Sequence, residues 1–184
     1  MKNIKRNVTL RIVTITLITL ASCGQTKNKQ DAKISTPEEI ETKKESMAEI
    51  ADATFSDGMT GKVFHNYQQM RMALVNSDAE EVIKAAGNLA ESFTEDREEM
   101  HLMAKALEEI DDIEKQRELF SQFTEKVEPM FKESLSEGTI YKQFCPMAFE
   151  GKGGYWISNV EEIKNPYYGD KMLKCGKVTE TIKK

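Results

Sequence analysis

The segment SDAEEVIKAAGNLAESF, residues 77–93, decides the fold class. Its apolar residues Val82, Ile83, Ala86, Leu89, Ala90 and Phe93 recur at the spacing of one face of an α-helix. Ser77-Asp78-Ala79-Glu80 fits a capping box, in which two side chains satisfy orphan backbone donors, so a helix is expected to open at Ser77. The same stripe continues on both sides. Upstream it runs through Val63, Phe64, Tyr67, Met70 and Leu74. Downstream, Thr94 is the expected N-cap of a third helix carrying Met100, Met103, Ala104, Leu107 and Ile110. Asp111 with Glu114 opens a fourth, carrying Ile113, Phe120, Phe123, Val127, Met130 and Phe131. Four amphipathic segments with short links read as a mainly α, antiparallel up-and-down helical bundle. Pro129 interrupts the last stripe and predicts a kink, because it lacks a backbone donor. Gly138 is the expected end of that helix.

The N-terminus reads as an address. Lys2, Lys5, Arg6 and Arg11 precede a short apolar run, Ile12 to Ala21, too short to span a bilayer core of about 30 Å. Residues 1–22 therefore read as a lipoprotein signal peptide. Leu20-Ala21-Ser22-Cys23 resembles the bacterial lipobox, which implies cleavage before Cys23 and its acylation, palmitate included. Residues 23–50 are polar, with few aliphatic side chains, and form a lipid anchor with a flexible tether. Residues 51–184 are then one domain of ordinary size. The expected location is the cell envelope, held to a membrane by lipid.

The full chain carries 26 Lys and Arg against 31 Asp and Glu, a net charge of −5. Cleavage of the leader would remove basic groups alone and leave the remainder more acidic, which argues against a nucleic-acid partner. Enzyme readings lack their residues. A nucleophilic Cys needs a base, and the histidines, His65 and His101, fall on the helices, far along the chain from Cys145 and Cys175. Glu98 and His101 stand three apart, as in half of a carboxylate metal site, but no second such pair accompanies them. Methionines at stripe positions read as core filler. The chain is expected to be non-catalytic.

After Gly138 the rhythm changes. Residues 139–145 (TIYKQFC) are β-branched and aromatic, glycines follow at 151, 153 and 154, and Tyr155-Trp156-Ile157 suits a returning strand. Asn165-Pro166 and Gly169-Asp170 mark a further turn, and residues 175–182 suit a last short strand. Residues 139–184 thus read as a small irregular or β C-terminal lobe on the bundle's end. Within it, Cys145 and Met147 sit two apart, and Met172 and Cys175 three apart. Thiolate and thioether are soft donors that favour Cu(I) or Ag(I), so these four sulfurs are a candidate metal site. The competing reading is a Cys145–Cys175 disulfide, the usual state of two Cys in an exported protein, with the methionines as packing. The aromatic cluster Tyr155, Trp156, Tyr167 and Tyr168 reads as the lobe's own core.

The motifs 141–147 (YKQFCPM), 152–158 (KGGYWIS) and 165–176 (NPYYGDKMLKCG), with Asp112 to Glu118 and Ala73-Leu74-Val75, resemble a bacterial domain of formerly unknown function. That domain occurs in exported lipoproteins and fused to periplasmic adaptor subunits of copper/silver efflux pumps. The resemblance spans roughly residues 59–182. It implies a heavy-metal chaperone or buffer with efflux adaptor proteins as partners. Where relatives carry more histidines on the third and fourth helices, this chain has Met103, Ala106, Lys115 and Leu119. The resemblance therefore points to the tail sulfurs and away from a helical metal site.

Overall fold

The computed structural model describes residues 53–184. The expected signal peptide, Cys23 and the tether lie outside the described residues. The chain runs β1 (Ala53–Phe55), α1 (Gly58–Val75), α2 (Ala79–Ala90), α3 (Glu98–Glu108), α4 (Ile113–Ser134), β2 (Leu135–Cys145), α5 (Ala148–Gly151), β3 (Gly154–Ser158) and β4 (Lys177–Lys183). Single 3₁₀ turns stand at Glu95–Arg97 and Gly169–Met172.

The four long helices pack in sequence order, and α4 returns to α1, so they form an antiparallel up-and-down bundle. The expected stripes face its core: Val63, Phe64, Tyr67, Met70, Leu74, Val82, Ala86, Leu89, Ala104, Leu107, Phe120, Phe123, Val127 and Phe131 are all buried.

The helix caps stand one to three residues later than the sequence suggests. Asp78, not Ser77, caps α2, its carboxylate accepting from Glu81 N at 3.1 Å. Ser77 takes a left-handed conformation (φ 55°) and its hydroxyl accepts instead from Arg117 Nη2 at 2.9 Å. Asp112, not Asp111, caps α4, accepting from Glu114 N and Lys115 N at 3.0 and 2.9 Å. Thr94 precedes the 3₁₀ turn without a side-chain cap bond, and α3 begins only at Glu98. In each capped case an aspartate, whose short carboxylate reaches the N2 or N3 amide, takes the place of the neighbour.

α4 runs through Pro129 to Ser134, with Met130 and Phe131 buried in its last turns. Gly138 is not its end. The helix stops at Ser134 and the chain goes directly into β2, where Gly138 (φ 94°) pairs with Ala53 of β1. β1, a strand the periodicity does not announce, thus caps the sheet from the other end of the domain.

β2 is the hub of the small antiparallel sheet, pairing with β1, β3 and β4. Its C-terminal half lies between β3 (Tyr141 opposite Ser158, Cys145 opposite Gly154) and β4 (Thr139 opposite Lys183, Phe144 opposite Lys177). The lobe does not sit on the bundle's end. Ile157 of β3 meets the middle of α1, donating its N–H to Tyr67 Oη at 3.0 Å, while its carbonyl accepts from Gln68 Nε2 at 3.1 Å. Bundle and lobe share one apolar core that includes Ile140, Trp156, Ile157 and Tyr167.

Replacing Tyr67 by Phe keeps the ring and leaves the buried Ile157 N–H without its acceptor. The variant is expected to lose about 1–3 kcal/mol, the cost of an unpaired buried donor. Denaturant unfolding followed by circular dichroism measures it, and an unchanged midpoint with unchanged slope would contradict this role for the hydroxyl.

Candidate sulfur site

Cys145 is the last residue of β2 and is fully buried. Pro146 follows it, and since proline has no N–H to give a ladder, the strand ends there. The chain then reverses through three consecutive left-handed residues, Phe149 (φ 53°), Glu150 (φ 58°) and Gly151 (φ 85°). A phenylalanine rarely adopts this conformation. Here its ring is held edge-on to Tyr167 at 4.9 Å, and Gly153 N closes the turn on Ala148 O at 2.9 Å. Gly154 opens β3 because a Cβ there would lie 2.6 Å from the Tyr167 ring.

Cys175 comes from the other side of β2, in the irregular segment before β4. Asn165, fully buried, shapes that segment. Its Nδ2 donates to Cys175 O at 2.8 Å, its Oδ1 accepts from Tyr167 N at 2.8 Å, and its own N–H reaches Leu173 O at 2.9 Å. Cys175 N donates to Met172 O at 2.9 Å, so Met172 and Cys175 form one tight turn. The result is that Cys145 Sγ and Cys175 Sγ lie 3.4 Å apart as free thiols.

All four tail positions bear on this pair, in different ways. The two thiols touch. Met147 offers its backbone N–H to the Cys175 sulfur, its carbonyl accepts from Tyr168 Oη at 2.6 Å, and its side chain is 52 % exposed. Met172 is half-buried and holds Cys175 through its carbonyl. What ties the methionines to the pair is thus their main chain. The neighbouring Cys145 thiol, and after it burial, pushes the Cys175 thiol above its ordinary value, while the Met147 N–H works the other way.

The distance is suited to chelation. Two metal–thiolate bonds of about 2.3 Å at a tetrahedral angle set their sulfurs about 3.8 Å apart, a few tenths of an ångström wider than this pair. Among the described residues no cluster of three or more His, Cys, Asp or Glu side chains stands ready for a metal ion. An ion between the thiols would therefore complete its shell with thioether, main chain or water.

The aromatic cluster divides. Trp156 and Tyr167 are buried core, with Trp156 Nε1 donating to Gln143 Oε1 at 2.6 Å, whereas Tyr155 is 39 % exposed, packed on Phe144 and beneath the Lys142 ammonium. Sequence reasoning missed Gln143 and Asn165 as the buried polar residues that hold the loops around the cysteines; the Asn-Pro pair at 165 was the one available signal. The histidines stand apart from the sulfur site in the contacts they make. His65 faces Gln69, and His101 Nδ1 lies 3.0 Å from Ala90 O beside a pocket of about 420 Å³ lined by Phe93, Thr94, Glu98 and His101. Among the described residues no helix is long and apolar enough to cross a membrane.

Residues 63–138, α1 to the early part of β2, match a family described as a protein of unknown function (DUF3347). The match ends before Cys145. No curated protein and no solved structure matches the chain.

Because Cys145 is the largest influence raising the Cys175 thiol, Cys145→Ala should move thiolate formation at Cys175 to lower pH. The pH profile of its alkylation rate reads this, and an unmoved or upward-shifted profile would rule out the contact as the cause.

Proposed function

We propose that the chain is a lipid-anchored protein of the cell envelope that holds one soft monovalent ion, Cu(I) or Ag(I), between Cys145 and Cys175, as a chaperone or buffer for metal efflux. The observation that carries this reading is the 3.4 Å contact between a buried and a half-buried free thiol. Soft sulfur donors match a soft ion, and a site with no imidazole or carboxylate cluster offers little to Zn(II) or to oxygen-seeking cations. Met147 and Met172, whose main chains both meet Cys175, are the thioethers that would complete the shell. The tail's resemblance to domains joined to copper/silver efflux adaptors supports those adaptors as partners. In this reading the protein performs no catalysis and binds no nucleic acid.

The same contact favours a second reading, a non-catalytic structural or interaction module stapled by a Cys145–Cys175 disulfide. That bridge would close a loop of about thirty residues and contribute roughly 3 kcal/mol. The two readings part in one experiment on reduced full-length protein carrying Cys23→Ala, so that only the two tail thiols count. On the metal reading it takes up one Cu(I) per chain in competition with a chelator, and more weakly as pH falls, since protons compete for thiolates. Met147→Leu and Met172→Leu conserve volume and should cost under about 1.5 kcal/mol of stability, yet each should weaken Cu(I) binding. On the disulfide reading both leave any residual affinity untouched, and Cys145→Ser or Cys175→Ser costs stability without metal. Absence of Cu(I) uptake by the reduced protein would overturn the first reading.

The anchor is tested separately. Cys23→Ala should shift the protein out of the detergent phase, because stable attachment takes more than one acyl chain and all of them depend on this residue. A substituted protein that still partitions with detergent would exclude Cys23 as the lipidated position.

A further inference from the structure

The two thiols that touch differ in access and in support. Cys145 is fully buried and fixed in β2, which is paired on both edges at that end. Cys175 is half-buried on irregular backbone, Lys171 and Lys177 near it in the chain are exposed, and Lys174 is ion-paired with Glu162. Closing 3.4 Å to a disulfide length of about 2.05 Å requires the two sulfurs to approach by more than an ångström. The turn at 173–176 can supply that movement, whereas Cys145 is held by the sheet.

We infer that Cys175 is a thiol–disulfide exchange site for small anionic disulfides, with Cys145 as its resolving thiol, and that the bridge they close excludes the metal ion; this last clause rests on the function proposed above. The Cys175 thiolate attacks one sulfur of R–S–S–R. That S–S bond breaks, Cys175–S–S–R forms, and one RS⁻ leaves. Cys145, 3.4 Å away, then gives its proton to solvent and attacks Cys175 Sγ, forming the Cys145–Cys175 bond and expelling the second RS⁻. Two protein thiols are oxidised, one external disulfide is reduced to two thiols, and the released protons end on those thiolates. Exposed Lys171 and Lys177 favour an anionic partner, and the order of attack follows from access, since the thiol that can be reached reacts first. Oxidation removes both thiolate ligands at once, so the reduced pair holds the ion and the oxidised pair releases it.

Oxidised glutathione is the probe, applied to full-length protein carrying Cys23→Ala and followed by mass spectrometry. The protein with both tail thiols should lose two hydrogens and keep no adduct at the end point. Samples quenched early with acid should carry the adduct on the Cys175 peptide. Cys145→Ser should retain one stable adduct, and Cys175→Ser should react at least about tenfold more slowly, in keeping with a buried thiol. An early adduct on Cys145, or a stable adduct with both thiols present, would overturn the exchange order. Silver binding separates the rest. The reduced protein should bind one Ag(I) and the oxidised protein none. Equal binding by both forms would sink the gate and leave the metal reading standing, whereas no binding by the reduced form would end the metal reading and the gate with it.

Discussion

One buried hydroxyl joins the parts of this domain. Ile157 N–H of β3 donates to Tyr67 Oη of α1, and Tyr67 lies 2.9 Å from Thr124 Oγ1 of α4, which itself donates to Phe120 O at 2.9 Å. Because the threonine proton is committed to Phe120, the tyrosine proton goes to the threonine, and every group in the chain is satisfied. The ring below the hydroxyl stacks on Phe120 at 5.0 Å and meets Phe131 edge-on at 5.4 Å. Burial pushes the phenol up to about 12, so it stays neutral and able to donate throughout the accessible pH range. Arg117, almost wholly buried, makes a second tie of the same kind. Its guanidinium donates to Leu74 O and Ser77 Oγ at the α1–α2 turn, to Glu114 of its own helix, and to Pro166 O of the lobe. These bonds explain why the lobe lies along α1 and α4. A sheet appended to the bundle's end would leave Ile157 N–H, Gln68 Nε2 and Arg117 Nε without the partners they have across the bundle and lobe.

The bundle was legible because its signal is periodic and redundant: many apolar residues repeat one message in each helix, and no single substitution hides it. The boundaries were less legible because each rests on one bond. Ser77 and Asp78 are both good caps by type, and what separates them is Arg117, forty residues on, which claims the serine. Gly138 carries less weight than its type suggests. It serves a strand because Ala53 approaches it from outside the helical region. Three residues of β1 cannot display a period at all.

The sulfur site was legible in composition and hidden in geometry. Cys145 and Cys175, each near a methionine, announced a candidate; their contact depends on the register of β2 with β3 and β4 and on the shape of a loop. That loop is set by Asn165 and Gln143, polar residues with no exposure, whereas a polar residue in a sequence is ordinarily a surface residue. Gln143 donates to Val160 O and Glu161 O while accepting from Trp156, so the chain beyond β3 is held down over the Cys145 side of the sheet. Such buried amides are placed by their partners and cannot be recognised without them.

The two cysteines therefore stand on supports of different stiffness, and that difference has a chemical consequence. A pair of thiols both fixed in a sheet would hold an ion or a disulfide at one geometry and yield it slowly. A pair on two loops would lose ordering entropy with each ligand bound. Here Cys145 supplies a fixed sulfur in a dry environment, and Cys175 supplies one that moves with a short turn tethered at Asn165 and Met172. On the proposed reading, the fixed thiol sets which ions are accepted and the movable one sets how readily they leave. The left-handed turn at Phe149–Gly151 completes the arrangement: by reversing the chain directly after Met147, it leaves that backbone N–H beside Cys175 and that side chain in solvent, where an incoming ion or disulfide would first meet the protein.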